Sequence, residues 1–482
     1  MKSLLTIAFL CPLLASAKPN ILLILADDMG YGDVQALNPD SKIPTPHLDS
    51  LARDGMVFSD AHTPSSVCTP TRYALLTGRY CWRSPLKKGV LVPPKDKPLI
   101  ENDRPTLASF LKKQGYRTNM VGKWHLGMGW ALDENGQVDF QGKISDTPVE
   151  KGFDHWFGVA ASLDMVPYTM IRDHEAVSQL TETQPNQPFP RYTRKGPKGP
   201  DFDPGDVLDD LAKEADLVIA DSAKSKAPFF LYLPLTGPHK PVWPHERFVG
   251  STELGPYGDF VHQVDHTVGL VLESLEKHGV ADDTLVIYTS DNGSFMYRRK
   301  DSQQHHLANP GDQGYRPSDH QSNYHWRGTK ADIYEGGHRV PFLVRWPEKA
   351  RAGSVSKKTI TLTDIFATVA EVTESPLPEQ AEDSYSFLNS LLGKEKASRP
   401  PVIHHSANGT FAIREGDWKL ILSSGSGGRQ RPLGKPFEQG YQLYDLHEDP
   451  QESNNLIEER PEIAKRLEKA FAKIARDHKT SQ

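Results

Sequence analysis

The run Asn20-Ile-Leu-Leu-Ile-Leu25 limits the fold more than any other stretch of the chain. It is apolar without alternation, and Ala26-Asp27-Asp28-Met29-Gly30 breaks it off. A strand with no polar face is buried on both sides, which places it inside a parallel or mixed sheet with helices over each face. Three further runs repeat the design. Tyr116–Val121 is followed by Gly122-Lys123-Trp124-His125, Phe229–Leu233 by Thr236-Gly237-Pro238-His239, and Thr284–Thr289 by Ser290-Asp291-Asn292. Helical periodicity separates them, at 106–114, 207–225 and 260–277; within the last, Asp265 and His266 are expected to be structural. Strands alternating with helices predict an α/β fold. Ligands of such sheets bind beyond the carboxyl ends of the strands. Asp27, Asp28, Lys123, His125, His239, Asp291 and Asn292 are therefore expected together at one edge.

The residue types at that edge suggest a chemistry. Asp27 and Asp28 repel each other unless a cation lies between them. With Asp291 and Asn292 they offer oxygen donors only, which suits a hard divalent ion, Ca2+ ahead of Mg2+. Lys123 can bind an anion as a point charge, and His125 can move a proton. Ser66-Val67-Cys68-Thr69-Pro70-Thr71-Arg72 reads as a helix start. Pro70 suits the first turn, Ala74-Leu75-Leu76 continues the helix, and Gly78 can end it. Free N–H groups at such an end attract an anion, and Arg72 adds a planar cationic fork.

The chain's 482 residues suffice for a large domain and a smaller one. Its net charge of -6 argues against a nucleic-acid surface. Lys2, the apolar stretch from Leu4 to Ala15, and Ala15-Ser16-Ala17 predict a cleaved export signal at 1–17. That stretch is too short to span a bilayer comfortably, so no integral membrane segment is expected after cleavage, the rival reading being a short uncleaved anchor. The protein is expected in the periplasm or outside the cell. Cleavage leaves Cys68 and Cys81, too few for a disulfide scaffold, and Cys81 is expected to be buried and unpaired. Thr181 to Asp206 lacks periodicity and is rich in Pro, Gly, Lys and Arg, which suits a surface insertion or a substrate rim. From Val402 onward short alternating segments at 411–414, 418–422 and 442–445 precede a final amphipathic helix at 461–475. The expected organisation is a catalytic α/β domain at 18–394 and a C-terminal α+β subdomain at 395–482.

Three segments carry a family resemblance. Cys68-x-Pro70-x-Arg72 with Leu76-Thr-Gly-Arg79, Gly122-Lys-Trp-His-Leu-Gly127, and Arg327-Gly-Thr-Lys330 with Tyr334-Glu-Gly-Gly-His-Arg-Val-Pro341 resemble the type I, formylglycine-dependent sulfatases. The resemblance runs from Asn20 to the C-terminal helix. It implies an alkaline-phosphatase-like α/β/α sandwich with a smaller C-terminal α+β domain, and a sulfuric ester hydrolase. It further implies that Cys68 is oxidised to formylglycine by a formylglycine-generating or anaerobic sulfatase-maturating enzyme. Asp27, Asp28, Asp291 and Asn292, with an oxygen of modified Cys68, would hold Ca2+. Arg72 and Lys123 would hold the formylglycine, and Lys123 and Lys330 would neutralise sulfate. His239 or Lys330 would protonate the departing sugar oxygen, and His125 would take the proton that lets sulfate leave.

The surroundings of Cys68 at 63–82 and the segment Leu163-Asp164-Met165 are similar to bacterial polysaccharide sulfatases. The implied substrate is a sulfated saccharide, with exo-acting removal of 6-O-sulfate from galactose or N-acetylgalactosamine as the specific expectation. Asp164, His155 and the 298–325 loop are the expected sugar contacts. Two other readings fit parts of the pattern. A phosphatase or phosphonate hydrolase of the same superfamily usually carries Thr or Ser as nucleophile and binds transition metals. A non-catalytic Ca2+-dependent glycan-binding protein would leave Cys68 unmodified.

Overall fold

The computed structural model describes residues 18–347, 349–394 and 399–477. The expected export signal at 1–17 lies outside the described residues, as does 395–398 beside the expected domain boundary. No helix among the described residues is long and apolar enough to cross a membrane.

A ten-stranded mixed sheet forms the larger part. Its strands, in chain order, are β1 (Asn20–Asp27), β2 (Met56–Phe58), β3 (Arg117–Val121), β4 (His155–Gly158), β5 (Ile171–Arg172), β6 (Glu175–Ala176), β7 (Phe229–Pro238), β8 (Thr284–Ser290), β9 (Phe342–Arg345) and β10 (Ser354–Ser356). Across the sheet they run β10-β2-β9-β8-β1-β7-β3-β4-β5-β6. The five central strands β8, β1, β7, β3 and β4 are mutually parallel. β9 joins β8 antiparallel, with Ile287 opposite Val344.

The unbroken apolar run of β1 serves two cores. Ile21, Leu23 and Leu25 face one side, packed with α2 (Cys68–Thr77), α3 (Leu107–Lys113) and a later helix, Asp364–Val372. Leu22, Ile24 and Ala26 face the other, packed with α1 (Pro46–Asp54), α4 (Val207–Ala223) and α5 (Gly255–Lys277). Successive side chains of a strand point to opposite faces, so a strand between two helical layers needs apolar residues at every position. This is the expected α/β/α sandwich.

Asp265 shows how the layers are tied. It lies on α5, fully buried, and its carboxylate accepts the N–H groups of His47 at 3.2 Å and Leu48 at 2.8 Å, in the first turn of α1. The α1 N-cap residue, Thr45, makes no side-chain cap. Asp265 therefore caps a helix from across the core. Burial pushes it up to about 7, against the two N–H groups that favour its charged form. Asp265→Ala leaves both donors unpaired and should lower unfolding stability by about 1–3 kcal/mol. Denaturant midpoints of the variant and the parent measure this.

The C-terminal part is a four-stranded antiparallel sheet, β11 (Val402–His405), β12 (Phe411–Glu415), β13 (Trp418–Ile421) and β14 (Gln442–Asp445), in that order. Leu467, Phe471 and Ile474 of the closing helix Pro461–Arg476 cover one face, against Ile403, Ile413, Leu420 and Leu443. Ala412, Ile421 and Tyr444 on the other face meet Ile333 and Tyr334 of the large part. The 181–206 segment, expected to lack regular structure, contains an antiparallel pair, Glu182–Gln184 with Gly196–Lys198. Its alternation is too short to register as a period in the sequence.

Candidate active site

The parallel register of the central strands brings the expected residues together. Ala26 pairs with Ser290, so Asp27-Asp28 and Asp291-Asn292 leave adjacent strands at the same level. The Asp291 N–H donates to Ala26 O at 3.1 Å, and the Asp28 N–H to Asp291 Oδ1 at 3.2 Å. On the other side of β1, β7 leads to His239 and β3 leads to Lys123 and His125. Gly122 makes the turn possible: its φ is +133°, and a Cβ there would lie 2.0 Å from Pro234 O. Asp28 and His125 both have φ near +60°, at 67° and 60°. Non-glycine residues held there cost roughly 1–3 kcal/mol each and concentrate at functional sites.

Cys68 is the first residue of α2, and Gly78 ends that helix in the left-handed conformation, donating its N–H to Ala74 O. The whole helix is buried. Thr69 Oγ1 donates to His125 O at 3.1 Å, which ties the helix start to the loop after β3. Burial pushes the Cys68 thiol up against the pull of Lys123 and Lys330. A thiol held neutral is a poor nucleophile as it stands. Cys68 and Cys81 are both free and buried, so no bridge consumes the proposed nucleophile.

Ion pairs fill the floor of the site. Lys123 Nζ lies 2.6 Å from Asp27 Oδ2 and 2.8 Å from Ser162 Oγ. Lys330 Nζ lies 2.6 Å from Asp28 Oδ1. Arg72 donates through Nε and Nη2 to Asp291 Oδ2 at 3.0 and 2.7 Å, and through Nη1 to Lys123 O at 3.2 Å. Arg72 is thus not the open anion clamp that a helix-end cation suggests. It stands behind the site and fixes Asp291. Burial works to raise both Asp27 and Asp291, with opposite outcomes. Asp27 is pushed up to about 7 despite Lys123, while Arg72, Lys123 and Lys330 hold Asp291 below the usual carboxylate range.

The donor set fits a hard divalent cation. Three buried carboxylates and one carboxamide lie together, and Asn292 donates Nδ2–H to Asp28 Oδ1 at 2.6 Å. Asp27 Oδ1 and Asn292 Oδ1 are buried with no hydrogen-bond partner, and such oxygens are costly unless a ligand meets them. Asp27, Asp28 and His239 also form a cluster able to hold a metal ion.

Two histidines flank this floor. His125 donates Nε2–H to Leu91 O at 2.9 Å, because a carbonyl can only accept. Its Nδ1 therefore carries a lone pair, and it is buried with no partner. His239 donates Nδ1–H to Lys240 O and turns Nε2 toward Asp28 Oδ2, 3.6 Å away. Burial, with Lys123 near His125 and Lys330 near His239, holds both rings well below the usual histidine range.

Above the floor opens a cleft of about 350 Å3, lined among others by Cys68, His125, Asp164, His239 and Lys330. Ser162, Arg194, Lys240 and Arg429 also line it, and no sequence motif pointed to them. Arg194 comes from the 181–206 segment and binds Asp164. Arg429 comes from the C-terminal part. Two expected sugar contacts lie elsewhere. His155 opens β4, where it pairs with Asn119, and is exposed beside Asp173 at 3.6 Å. It is on the amino side of the strand, away from the cleft. The 298–325 loop lines a separate hollow of about 790 Å3 with Trp326, Arg327 and Glu452. The loop is anchored inward by His320 on Asp33 at 2.8 Å and by Tyr315 on Leu254 O at 2.7 Å.

Comparison with known proteins gives consistent matches. The sulfatase family model matches residues 19–375, and the model described as N-sulphoglucosamine sulphohydrolase, C-terminal, matches 325–477. An N-acetylgalactosamine-6-O-sulfatase of Bacteroides thetaiotaomicron is 34% identical, over 95% of this chain and 93% of that protein. Human arylsulfatase A is 31% identical, over 94% of this chain and 86% of that protein. A solved structure from work on the metabolism of multiple glycosaminoglycans by Bacteroides thetaiotaomicron superposes with a TM-score of 0.82 at 32% identity. That match covers 95% of this chain and 99% of the other.

Proposed function

The chain belongs to the sulfatase family, and on that premise we propose that it removes 6-O-sulfate from galactose or N-acetylgalactosamine at the end of a sulfated polysaccharide. One observation carries the reading: Cys68 opens into the same cleft as His125, His239 and Lys330, with Asp27 and Asp291 near enough to act on its thiol. The saccharide class is that of the relatives, and the 6-O position follows the bacterial N-acetylgalactosamine-6-O-sulfatase.

The roles follow from chemistry. Asp27, Asp28, Asp291 and Asn292 would hold Ca2+, which when bound neutralises charge on the sulfate. Cys68, oxidised by a maturation enzyme to formylglycine, supplies a hydrated aldehyde as nucleophile. Arg72 orients Asp291, and Lys123 orients Asp27. Lys330, on the cleft wall, meets the negative oxygens of the bound ester in a preorganised setting. His239 or Lys330 protonates the departing sugar oxygen. His125 accepts a proton on its unpartnered Nδ1, a step of the kind worth ~10²–10⁴-fold. Export through the segment at 1–17 completes the reading, since polymeric substrates are met outside the cytoplasm.

The test pairs mass spectrometry with turnover. Protein made with a maturation enzyme should show the formylglycine mass at Cys68. It should release sulfate from N-acetylgalactosamine 6-sulfate or galactose 6-sulfate at least about 10-fold faster than from 4-sulfated isomers, since one misplaced polar contact costs that much. Faster cleavage of matched phosphate esters, or an unmodified thiol in fully active protein, would overturn it.

A further inference from the structure

The cleft holds more positive charge than the assigned residues balance. Six cationic side chains line it or stand behind it: Arg72, Lys123, Lys330, Arg194, Lys240 and Arg429. Four have a carboxylate partner. Arg72 pairs with Asp291, Lys123 with Asp27, Lys330 with Asp28, and Arg194 with Asp164. Among the described residues, neither Lys240 nor Arg429 forms an ion pair. Lys240 Nζ lies 4.9 Å over the ring of Tyr192, and the Arg429 guanidinium makes a single long contact, Nη1 to Phe295 O at 3.5 Å.

Both side chains are half-buried on the cleft wall, yet they come from distant parts of the chain. Lys240 follows β7 after His239. Arg429 reaches in from the loop between β13 and β14, whose backbone is pinned because Asp332 Oδ1 accepts the N–H groups of both Arg429 and Gln430. Burial and the charge of Arg429 disfavour the charged form of Lys240, and Asp164 and Asp28 offset this only in part. Two like charges placed together in a partly dry cleft repel each other. They become favourable once an anion lies between them, through charge-assisted hydrogen bonds. The sulfate over Cys68 is already served by Lys330 and the metal-binding floor.

We infer that Lys240 and Arg429 form a subsite for a second anionic group of the substrate, a sulfate ester or a uronate carboxylate, beside the sulfate that is removed. The inference rests on the sulfatase reading above and narrows its substrate to saccharides carrying two negative groups.

Three disaccharides of equal length and with the same 6-sulfated residue test it. One has a neutral neighbour, one a uronate neighbour, and one a second sulfate. The parent enzyme should show a kcat/KM about 10- to 100-fold higher for at least one of the two dianionic compounds, and the preferred one identifies the group. The preference should shrink as salt rises. Lys240→Gln and Arg429→Gln should each reduce the ratio, the double variant should bring it near one, and Arg429→Glu should invert it. Calorimetric binding to Cys68→Ala protein gives the same ratio without turnover, and unchanged thermal midpoints show that the variants fold. A ratio near one in the parent, or a ratio that survives the double variant, would overturn the subsite. Turnover of phosphate esters but none of the three sulfates would instead strike the sulfatase reading, and the subsite with it.

Discussion

Cys68→Ala should lower kcat/KM for sulfate esters by at least ~10⁴-fold and leave the fold in place, because removing a covalent nucleophile removes the step on which all others depend. The change deletes one buried sulfur at the first position of α2. Its structural cost is small beside the packing of a helix buried throughout. Cys68→Ser separates two explanations for the loss. Serine has the size and a hydroxyl, but a sulfate ester on it has no second hydroxyl through which to collapse. Cys68→Ser protein that escapes maturation should therefore release at most one equivalent of the sugar per chain and retain the sulfate. An intact-mass gain of one sulfate group, with a stoichiometric burst of sugar, is the expected record. Multiple turnovers by Cys68→Ala would remove this residue from the reaction.

The large sheet could be read from the chain because its central strands are buried on both faces. Ile21 to Ala26 feed two cores by turns, so the run is apolar at every position and stands out without any partner being known. The residues past those strands were equally legible, because the chain itself positions each one directly after a strand end. Arg194, Lys240 and Arg429 were not. Arg194 and Arg429 reach the cleft through a short hairpin and a loop of the second sheet, and their arrival depends on tertiary packing that no local pattern records. Lys240 carries no signal beside His239, since one cation among prolines has no meaning until its lack of an ion pair in the fold is seen. That His155 lies away from the cleft is not legible for a related reason. Its aromatic and acidic neighbours mark a strand, but composition does not say which end of that strand meets the site. The polar 298–325 loop had the right chemistry for sugar, but His320 and Tyr315 turn it inward.

Lys419→Met is expected to lower unfolding stability by about 3–5 kcal/mol, the penalty of leaving buried charges without their partner. Lys419 lies on β13 with no exposed surface, and its ammonium holds Glu452 Oε1 at 2.8 Å and Glu335 Oε1 at 3.1 Å. Its ammonium also lies 3.0 Å from His338 Nε2, a nitrogen that is 3.1 Å from Ile333 O. His338 Nδ1 lies 3.1 Å from His62 Nδ1, and His62 Nε2 lies 2.9 Å from both Asp60 Oδ1 and Arg414 Nη1. Arg414 closes the chain on Asp60, at 2.9 Å to each oxygen. The two sheets are thus joined by one buried polar line. The carboxylates at the Lys419 end respond to pH in opposite senses. Burial, opposed by Lys419, raises Glu452 to about 7, so its contribution to stability is fully present below the ordinary carboxylate value and is lost as pH rises through about 7. Burial also works to raise Glu335, but Lys419, His62, His338 and Arg414 together hold it well below its ordinary value. Its contribution is therefore present above that value and lost as pH falls through the lower one. Asp27 and Asp265 are likewise raised to about 7, so between pH 6 and 8 the parent should lose stability and Glu452→Gln should lose less of it. Glu452→Gln should also recover part of the loss in Lys419→Met, since it removes one of the two unpaired carboxylates. Denaturant midpoints of the four proteins at pH 6 and pH 8 decide it: an equal pH slope in parent and Glu452→Gln would mean that Glu452 is ionised throughout and that Lys419 balances both carboxylates at once.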